Sequence, residues 1–325
     1  MSRQAVRVKV PASTANLGPG FDTLGMALSL YAQIEMKEAE ETRFHLYGKE
    51  MEGVARDKSN LIYRVAQMVF QEAGVSVPEL EISMVSDIPL ARGLGSSASA
   101  IVGALAAANA LIGGPLDDAR LFDIATALEK HPDNVGASLF GGIVAAAWDG
   151  AKASYLRIEP PEHLGVLVVI PEFELATSKA RSVLPETVSV SDAVYNISRS
   201  SLLTAAFAAG RLDLVGRAMQ DRLHQPYRAP LVPGMETILR EAGSHGALGA
   251  ALSGAGPTVL ALTDTRENRR AELEAFMLDT MRKQGIEART AWLAPCLTGA
   301  AVERVDVDGV QSGTFLDMIK GEVGS

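Results

Sequence analysis

The segment Pro89-Leu90-Ala91-Arg92-Gly93-Leu94-Gly95-Ser96-Ser97-Ala98-Ser99 sets two glycines and three serines at the head of an alanine-rich run. A strand-like stretch, residues 79–85, precedes it, and an apolar helical stretch, residues 98–112, follows and stops at Gly113-Gly114-Pro115. At a helix start four backbone N–H groups lack an intrahelical partner, and the macrodipole adds about half a positive charge. Glycines let the backbone approach a ligand, and the hydroxyls of Ser96, Ser97 and Ser99 suit phosphate or a hard cation such as Mg²⁺. The chemistry is that of a nucleotide-phosphate cradle. A Walker A loop would need a lysine that is absent, and G-x-G-x-x-G would need a third glycine where Ala98 stands. The plain alternative is a tight turn that packs a small-residue helix on a sheet.

A second glycine-rich segment, Ser253-Gly254-Ala255-Gly256, offers the same kind of close approach, or a tight connection between a helix and a strand. Charged candidates are scattered: Asp22 in ANLGPGFD, Glu129 and His131 in EKHPDN, Arg181 in ATSKAR and Arg228 in QPYR. Taken singly, each has a bland reading. Either arginine suits a surface, Glu129 at a helix end suits a solvated carboxylate, and a histidine before proline suits a fixed loop. Asp192, Asp221, Asp117 and Asp118 read as caps or solvated charge.

The elements that must position these residues follow from periodicity and turn chemistry. Val6-Arg7-Val8-Lys9-Val10 alternates as a half-buried strand and runs into ASTANLGPGFDTLG, where Pro11, Gly18, Pro19 and Gly20 predict a loop. Strand-like alternation recurs over 31–47, and an amphipathic helix over 61–73 has Ser59 as its expected N-cap and Gly74 past its end. A helix over 119–129 leads into HPDNVGASLFGG, where Pro132 and a glycine pair predict irregular backbone. Residues 143–148 and 153–158 read as a hairpin around Asp149-Gly150, a type I′ signal, and a domain boundary is expected near 159–162. The second half begins with an apolar strand, GVLVVIP, then a loop FELATSKARSVLP, several helices, the second glycine segment, a charged helix over 266–284 and a strand over 288–294. Helices laid on an antiparallel sheet in each half give an α+β fold.

Composition sets the outer bounds. A chain of 325 residues, 47% of them hydrophobic, predicts two domains with ample core. With 30 Lys and Arg against 39 Asp and Glu, a formal charge of −9 disfavours nucleic-acid binding. No apolar run reaches the ~20 residues of a membrane span, so no membrane partner is expected. A single cysteine, Cys296, and an N-terminus without a signal-peptide pattern point to a cytoplasmic protein.

PLARGLGSSASA resembles the second conserved motif of the GHMP small-molecule kinases, PASTANLGPGFDTLG the first and LSGAGPTVLAL the third. The order matches, and the resemblance covers nearly the whole chain. Within the family the chain is most similar to the homoserine kinases, in ANLGPGFD, HPDNV, the T-x-x-x-R of ATSKARSVLP, and QPYR followed by LVPG. Mevalonate and galactose kinases carry an Asp, a candidate base, in the segment corresponding to HPDN, where this chain has Asn134.

The resemblance implies a two-domain fold, residues 1–160 resembling ribosomal protein S5 domain 2 and residues 161–325 a ferredoxin-like α/β sandwich. It implies ATP and L-homoserine as substrates, Mg²⁺ as metal, and O-phospho-L-homoserine as a product on the way to threonine. The hydroxyl attacks directly, without an Asp base, because phosphoryl transfer asks mainly for alignment and charge stabilisation. Residues 89–99, with Ser253, Gly254 and Gly256, would hold the nucleotide, Asn60 would reach the adenine, and Ser97 and Glu129 would ligate Mg²⁺. Asp22 would meet the substrate ammonium, and Arg181 and Arg228 its carboxylate, the guanidinium fork matching a carboxylate bidentately. Asn16, His131 and Asn134 would surround the substrate and its hydroxyl, and Thr177 would orient the γ-phosphate or cap a helix. A homodimer is also implied. Two rivals stand beside this reading: a kinase of the same family for another small alcohol such as mevalonate, and a noncatalytic ligand sensor on the same fold.

Overall fold

The computed structural model describes residues 4–306 and Phe315. In chain order the elements are β1 (Gln4–Asn16), β2 (Gly20–Glu38), β3 (Arg43–Tyr47), α1 (Leu61–Glu72), β4 (Leu80–Ser86), α2 (Ser96–Leu111), α3 (Asp118–Glu129), α4 (Asp133–Phe140), β5 (Ile143–Trp148) and β6 (Ala153–Ile158). They continue with β7 (Leu164–Pro171), α5 (Thr177–Ser182), α6 (Val190–Ala208), α7 (Val215–Ala218), α8 (Gln225–Arg228), α9 (Met235–Glu241), β8 (Gly249–Leu252), β9 (Val259–Asp264), α10 (Arg270–Lys283), β10 (Ala288–Leu293) and β11 (Ala301–Asp306).

Two sheets result, as an α+β fold requires. The first has seven strands in the order β11-β1-β2-β4-β3, with β5 added to β2 and β6 to β5. Only β3 and β4 run parallel in it. The second is an antiparallel four-stranded sheet, β10-β7-β9-β8. The change of sheet falls between β6 and β7, but β11 returns to pair with β1 in the first sheet. Residues 301–306 therefore sit with the first half of the chain, not with 161–325.

The stretch expected to be a loop after Val10 is instead strand. A register shift between Pro11 and Ala12 absorbs the proline, and β1 continues against β2 to Asn16. HPDNVGASLFGG is likewise not irregular: Pro132 sits at the N-cap of α4, where its missing N–H costs no helix bond, and Gly141 closes the helix with φ 71°. The expected loop FELATSKARSVLP contains α5, and the second glycine segment joins two strands, β8 and β9, not a helix and a strand. Asn60, not Ser59, caps α1, its Oδ1 accepting from the Ile62 N–H. The 143–158 hairpin forms, yet only Gly150 of its central pair has positive φ, 97°, which does not fit type I′.

α2 explains its own composition. It lies against β1 and β2 with Ala98, Ile101, Val102, Ala104, Leu105, Ala107 and Ala108 buried. Alanines let its axis approach the sheet, and each fully buried Ile or Leu contributes about 1.5–3 kcal/mol. The helix begins at Ser96, two residues before the expected start, so Ser96 and Ser97 belong to its first turn.

Candidate active site

A cavity of about 280 Å³ opens where the two sheets meet. Its lining includes Ala91, Gly93, Gly95, Ser96, Ser97 and Ala98 from the loop into α2 and its first turn, Glu129, His131 and Asn134 from the end of α3 to the start of α4, and Asn16 and Asp22 from the facing ends of β1 and β2. The second half contributes Thr177 and Arg181 of α5, Arg228 of α8, and Gly254 and Gly256 of the β8–β9 loop. Residues up to 240 positions apart in sequence thus face one space. A larger and more open groove of about 990 Å³, beside Arg217 and Leu239, contains none of the predicted site residues.

The loop into α2 is clamped from two sides. A Cβ on Gly95 (φ +73°) would lie 2.1 Å from Ser13 Oγ, and one on Gly93 (φ +79°) would lie 2.3 Å from the Ser253 carbonyl oxygen. Glycine is needed for both the space and the left-handed backbone. Above Gly95 the first-turn amides of Ser96, Ser97 and Ala98 have no intrahelical acceptor and front the cavity. The Ser97 hydroxyl donates to Glu129 Oε1 at 2.5 Å. Glu129 is only 16% exposed in its side chain, so it is not the solvated helix-end carboxylate. Lys130, at φ 67°, makes the left-handed turn that lets Glu129 and His131 both face inward.

His131 Nδ1 bonds Asp133 Oδ1 at 2.6 Å, and its Nε2 lies 3.8 Å from Glu129 Oε2. Burial disfavours the charged ring. The bond to Asp133 and the charges of Asp133, Asp22 and Glu129 outweigh that and raise the His131 pKa. Asn134 Oδ1 accepts from Ser13 Oγ at 3.0 Å, which leaves its NH₂ as the donor for a ligand.

Asp22 is fixed by backbone: φ is 55°, and its N–H donates to Asn16 Oδ1 at 3.0 Å. Asn16 Nδ2 in turn donates to the Gly254 carbonyl at 2.9 Å, linking the first and third glycine-bearing loops. Arg181 meets Asp22 bidentately, at 2.7 and 3.0 Å. Arg228 is 1% exposed and donates to the carbonyls of Ala180 and Gly254 and to His224 Nδ1. Burial, then the nearby Arg181 charge, lower its pKa to about 10. Both guanidinium carbons lie over the Phe21 ring, at 5.5 Å for Arg181 and 5.2 Å for Arg228. Asn16, Leu17, Asp22, Ala91 and Lys130 are the non-glycine residues of positive φ among those described; Asn16, Asp22 and Ala91 line this cavity, and Leu17 and Lys130 adjoin lining residues. Such conformations cost about 1–3 kcal/mol each and persist where the surroundings over-determine them.

Several predicted residues make bonds to the protein frame. Asn60 is 3% exposed, with its amide spent on Ile62 and Ala55, and it does not line the cavity. Ser99 bonds the Ser96 carbonyl, and the Ser253 hydroxyl donates to the Gly93 carbonyl and pairs with the Thr14 hydroxyl, 2.8 Å away. Arg92 ties its loop to the second sheet through the carbonyls of Pro171 and Glu172, while Pro89, Leu90 and Leu94 stay outside the lining. Thr177 is not a cap, because Ala176 holds that position. Asp221 is neither a cap nor solvated charge: His224 holds the N-cap of α8, and the buried Asp221 carboxylate accepts from the amides of Leu223, His224 and Gln225.

Asp133, Phe21 and His224 were missed. Asp133 stands inside HPDN with the i,i+2 spacing to His131 that an orienting carboxylate would take. Phe21 and His224 carried no signal, since an aromatic beside Asp22 and a histidine four residues before Arg228 become meaningful only once packed.

The family of GHMP kinases N terminal domains matches residues 60–142, and that of GHMP kinases C terminal matches residues 203–282. The homoserine kinase of Deinococcus radiodurans is 47% identical over 91% of this chain and 96% of its own length. That of Moorella thermoacetica is 46% identical over 91% of this chain and 99% of its own length. Among solved structures, homoserine kinase from Cytophaga hutchinsonii superposes with a TM-score of 0.83 at 26% identity, covering 92% of this chain and 97% of that one.

Proposed function

This chain belongs to the GHMP kinases and, within them, to the homoserine kinase family, and from that premise we propose the reaction, the ligands and the residue roles that its cavity serves. The enzyme transfers the γ-phosphoryl group of ATP to the side-chain hydroxyl of L-homoserine, giving ADP and O-phospho-L-homoserine. One observation carries the reading: the same cavity is lined by a helix start with partnerless amides and by an acid with two guanidinium groups. That is the complement of a triphosphate beside a zwitterion. Mevalonate, which has no ammonium, leaves Asp22 without a ligand partner, and a noncatalytic sensor has no use for the Ser97–Glu129 contact.

The amides of Ser96, Ser97 and Ala98 hold phosphate oxygens without reorganising. Ser97 Oγ and Glu129 are hard oxygen donors in contact, a set that fits Mg²⁺, which takes one or two protein ligands beside phosphate oxygens and water. Mg²⁺ would supply charge neutralisation between the phosphates. Asp22 binds the ammonium, Arg181 and Arg228 the carboxylate, and Asn134 Nδ2 donates to the reacting oxygens. An amide takes no proton, so the hydroxyl proton passes to the transferred phosphoryl group, and catalysis is alignment plus charge stabilisation. His131, oriented by Asp133, and Thr177, which lines the same cavity, complete the surround. Cytoplasmic location and a homodimer belong to the same proposal; solution mass tests the second.

The deciding assay is ADP release from Mg²⁺-ATP with L-homoserine, with mevalonate, or with no acceptor. Homoserine-dependent turnover is expected, and its absence at millimolar substrate sinks the reading.

A further inference from the structure

A buried arginine ordinarily finds a carboxylate, because an unpaired charge in the interior is costly. Arg228 does not. Its guanidinium donates only to neutral acceptors, the carbonyls of Ala180 and Gly254 at 3.0 and 3.1 Å and His224 Nδ1 at 3.2 Å. Among the described residues no ion pair includes it. Three carboxylates lie near enough to act on its charge, Asp22, Asp221 and Asp133, and each is bonded elsewhere, Asp133 through Oδ1 to His131 Nδ1 and the Asn134 amide. Asp22 is held bidentately by Arg181, and Asp221 spends Oδ1 on Asn196 Nδ2 and the Leu223 amide, and Oδ2 on the amides of His224 and Gln225.

His224 makes this arrangement work. It has no exposed surface, stacks on Phe21 with ring centroids 5.1 Å apart, and places Nε2 2.7 Å from the Gly18 carbonyl oxygen. That carbonyl has no proton to give, so Nε2 carries the hydrogen and Nδ1 presents a lone pair to Arg228. Burial, with the Arg228 charge, keeps the ring neutral. Asp221 Oδ2 stands 3.6 Å from Nε2, outside bonding distance.

We propose that His224 is a positioning residue: it fixes the Arg228 guanidinium through a neutral acceptor and so leaves its charge unneutralised for the carboxylate of the amino-acid substrate. A glutamate in its place would hold the guanidinium equally well while neutralising it. The inference rests on the proposed function for the identity of the anion and goes beyond it in assigning the residue that reserves the cation.

The test compares wild type, His224→Gln and His224→Glu by calorimetric binding of L-homoserine and of 3-aminopropan-1-ol, the same alcohol without its carboxylate, together with the KM for ATP. Glutamine, a neutral acceptor, is expected to weaken homoserine by about fivefold or less, and glutamate by about 30-fold or more. Aminopropanol binding and the ATP KM should be alike in both variants. Equal losses of homoserine affinity in the two variants, or an equal loss for aminopropanol, overturn the assignment. If His224→Glu does not fold, His224→Phe keeps the stack on Phe21 and removes the acceptor. It should then weaken homoserine about tenfold more than His224→Gln does, and equality again overturns the assignment. Binding needs no turnover, so failed catalysis in wild type overturns the proposed reaction while this comparison still decides the role of His224.

Discussion

Asp22 and Arg181 hold one another through two parallel hydrogen bonds, Oδ1 to NH2 at 2.7 Å and Oδ2 to NH1 at 3.0 Å, across 159 residues of sequence. Each is about one-third exposed, on the wall of the cavity. A zwitterion entering here exchanges this pair for two others, its ammonium taking Asp22 and its carboxylate taking Arg181. A ligand with only one of the two charges breaks the pair and satisfies half of it. 4-Hydroxybutanoate, homoserine without its ammonium, is therefore expected to be phosphorylated with a kcat/KM lower by about 10- to 100-fold, about 1.4–3 kcal/mol. Comparable kcat/KM values for the two alcohols would remove Asp22 from substrate recognition.

Arg228→Leu deletes a buried cation and strands the carbonyls of Ala180 and Gly254. The homoserine KM is expected to rise by about 100-fold or more while the ATP KM moves by less than about threefold. Steady-state kinetics with each substrate varied in turn checks the split, and parallel rises in both KM values count against a substrate role.

Ser97→Ala and Glu129→Gln each remove one hard oxygen donor from a contacting pair. The Mg²⁺ concentration for half-maximal rate is expected to rise by about tenfold or more, since loss of even outer partners of a metal has that effect. A Mg²⁺ titration at fixed ATP that superimposes on the wild type contradicts metal ligation by the altered residue.

Gly95→Ala places a methyl group 2.1 Å from Ser13 Oγ in a residue held at φ +73°. The strain is of order 1–3 kcal/mol, and relieving it tilts the first turn of α2 away from its place at the cavity. Urea unfolding should show the loss of stability, and the ATP KM should rise more than the homoserine KM. An unchanged midpoint would show that the loop yields freely.

Neutral burial of His224 links stability to pH. Its pKa lies below the ordinary 6.5, so below that pH the unfolded chain binds a proton the folded chain lacks, and stability falls as pH drops towards the folded value. His131 has the opposite sign: its raised pKa stabilises fully below 6.5 and is lost as pH rises through the folded value. The difference between wild type and His224→Gln isolates the first effect, with a slope of up to about 1.4 kcal/mol per pH unit. Urea unfolding between about pH 5 and about pH 8 measures it, and parallel curves for the two proteins exclude a neutral buried His224.

The cradle was legible because its chemistry is local. A strand, then GLGSS, then an alanine-rich helix dictates where partnerless amides end up, whatever packs around them. The helix starts at Ser96 and not at Ala98 because Gly95 in left-handed backbone supplies the N-cap, and no periodicity reports a backbone angle. HPDNVGASLFGG misled for a related reason, since Pro132 before an eight-residue helix looks the same in sequence as Pro132 inside a loop. The continuation of β1 to Asn16 was hidden because a bulge tolerates the proline that ordinarily ends a strand.

Sequence alone determined the α+β class and the order of strand, glycine loop and helix that leaves amides without partners at the head of α2, while the residues for a zwitterionic substrate were named only through the family resemblance. The class and the order depend on periods of two and 3.6 residues and on side-chain chemistry, both of which act over a few residues. The tertiary structure decided which groups meet: Ser97 with Glu129, Asp22 with Arg181, and Arg228 with His224 instead of a carboxylate. It also showed which candidates, such as Asn60 and Ser253, are bonded to the frame. A pairing such as Asp22 with Arg181, 159 residues apart, is set by how the two halves of the chain pack, and a one-dimensional pattern holds no record of that distance.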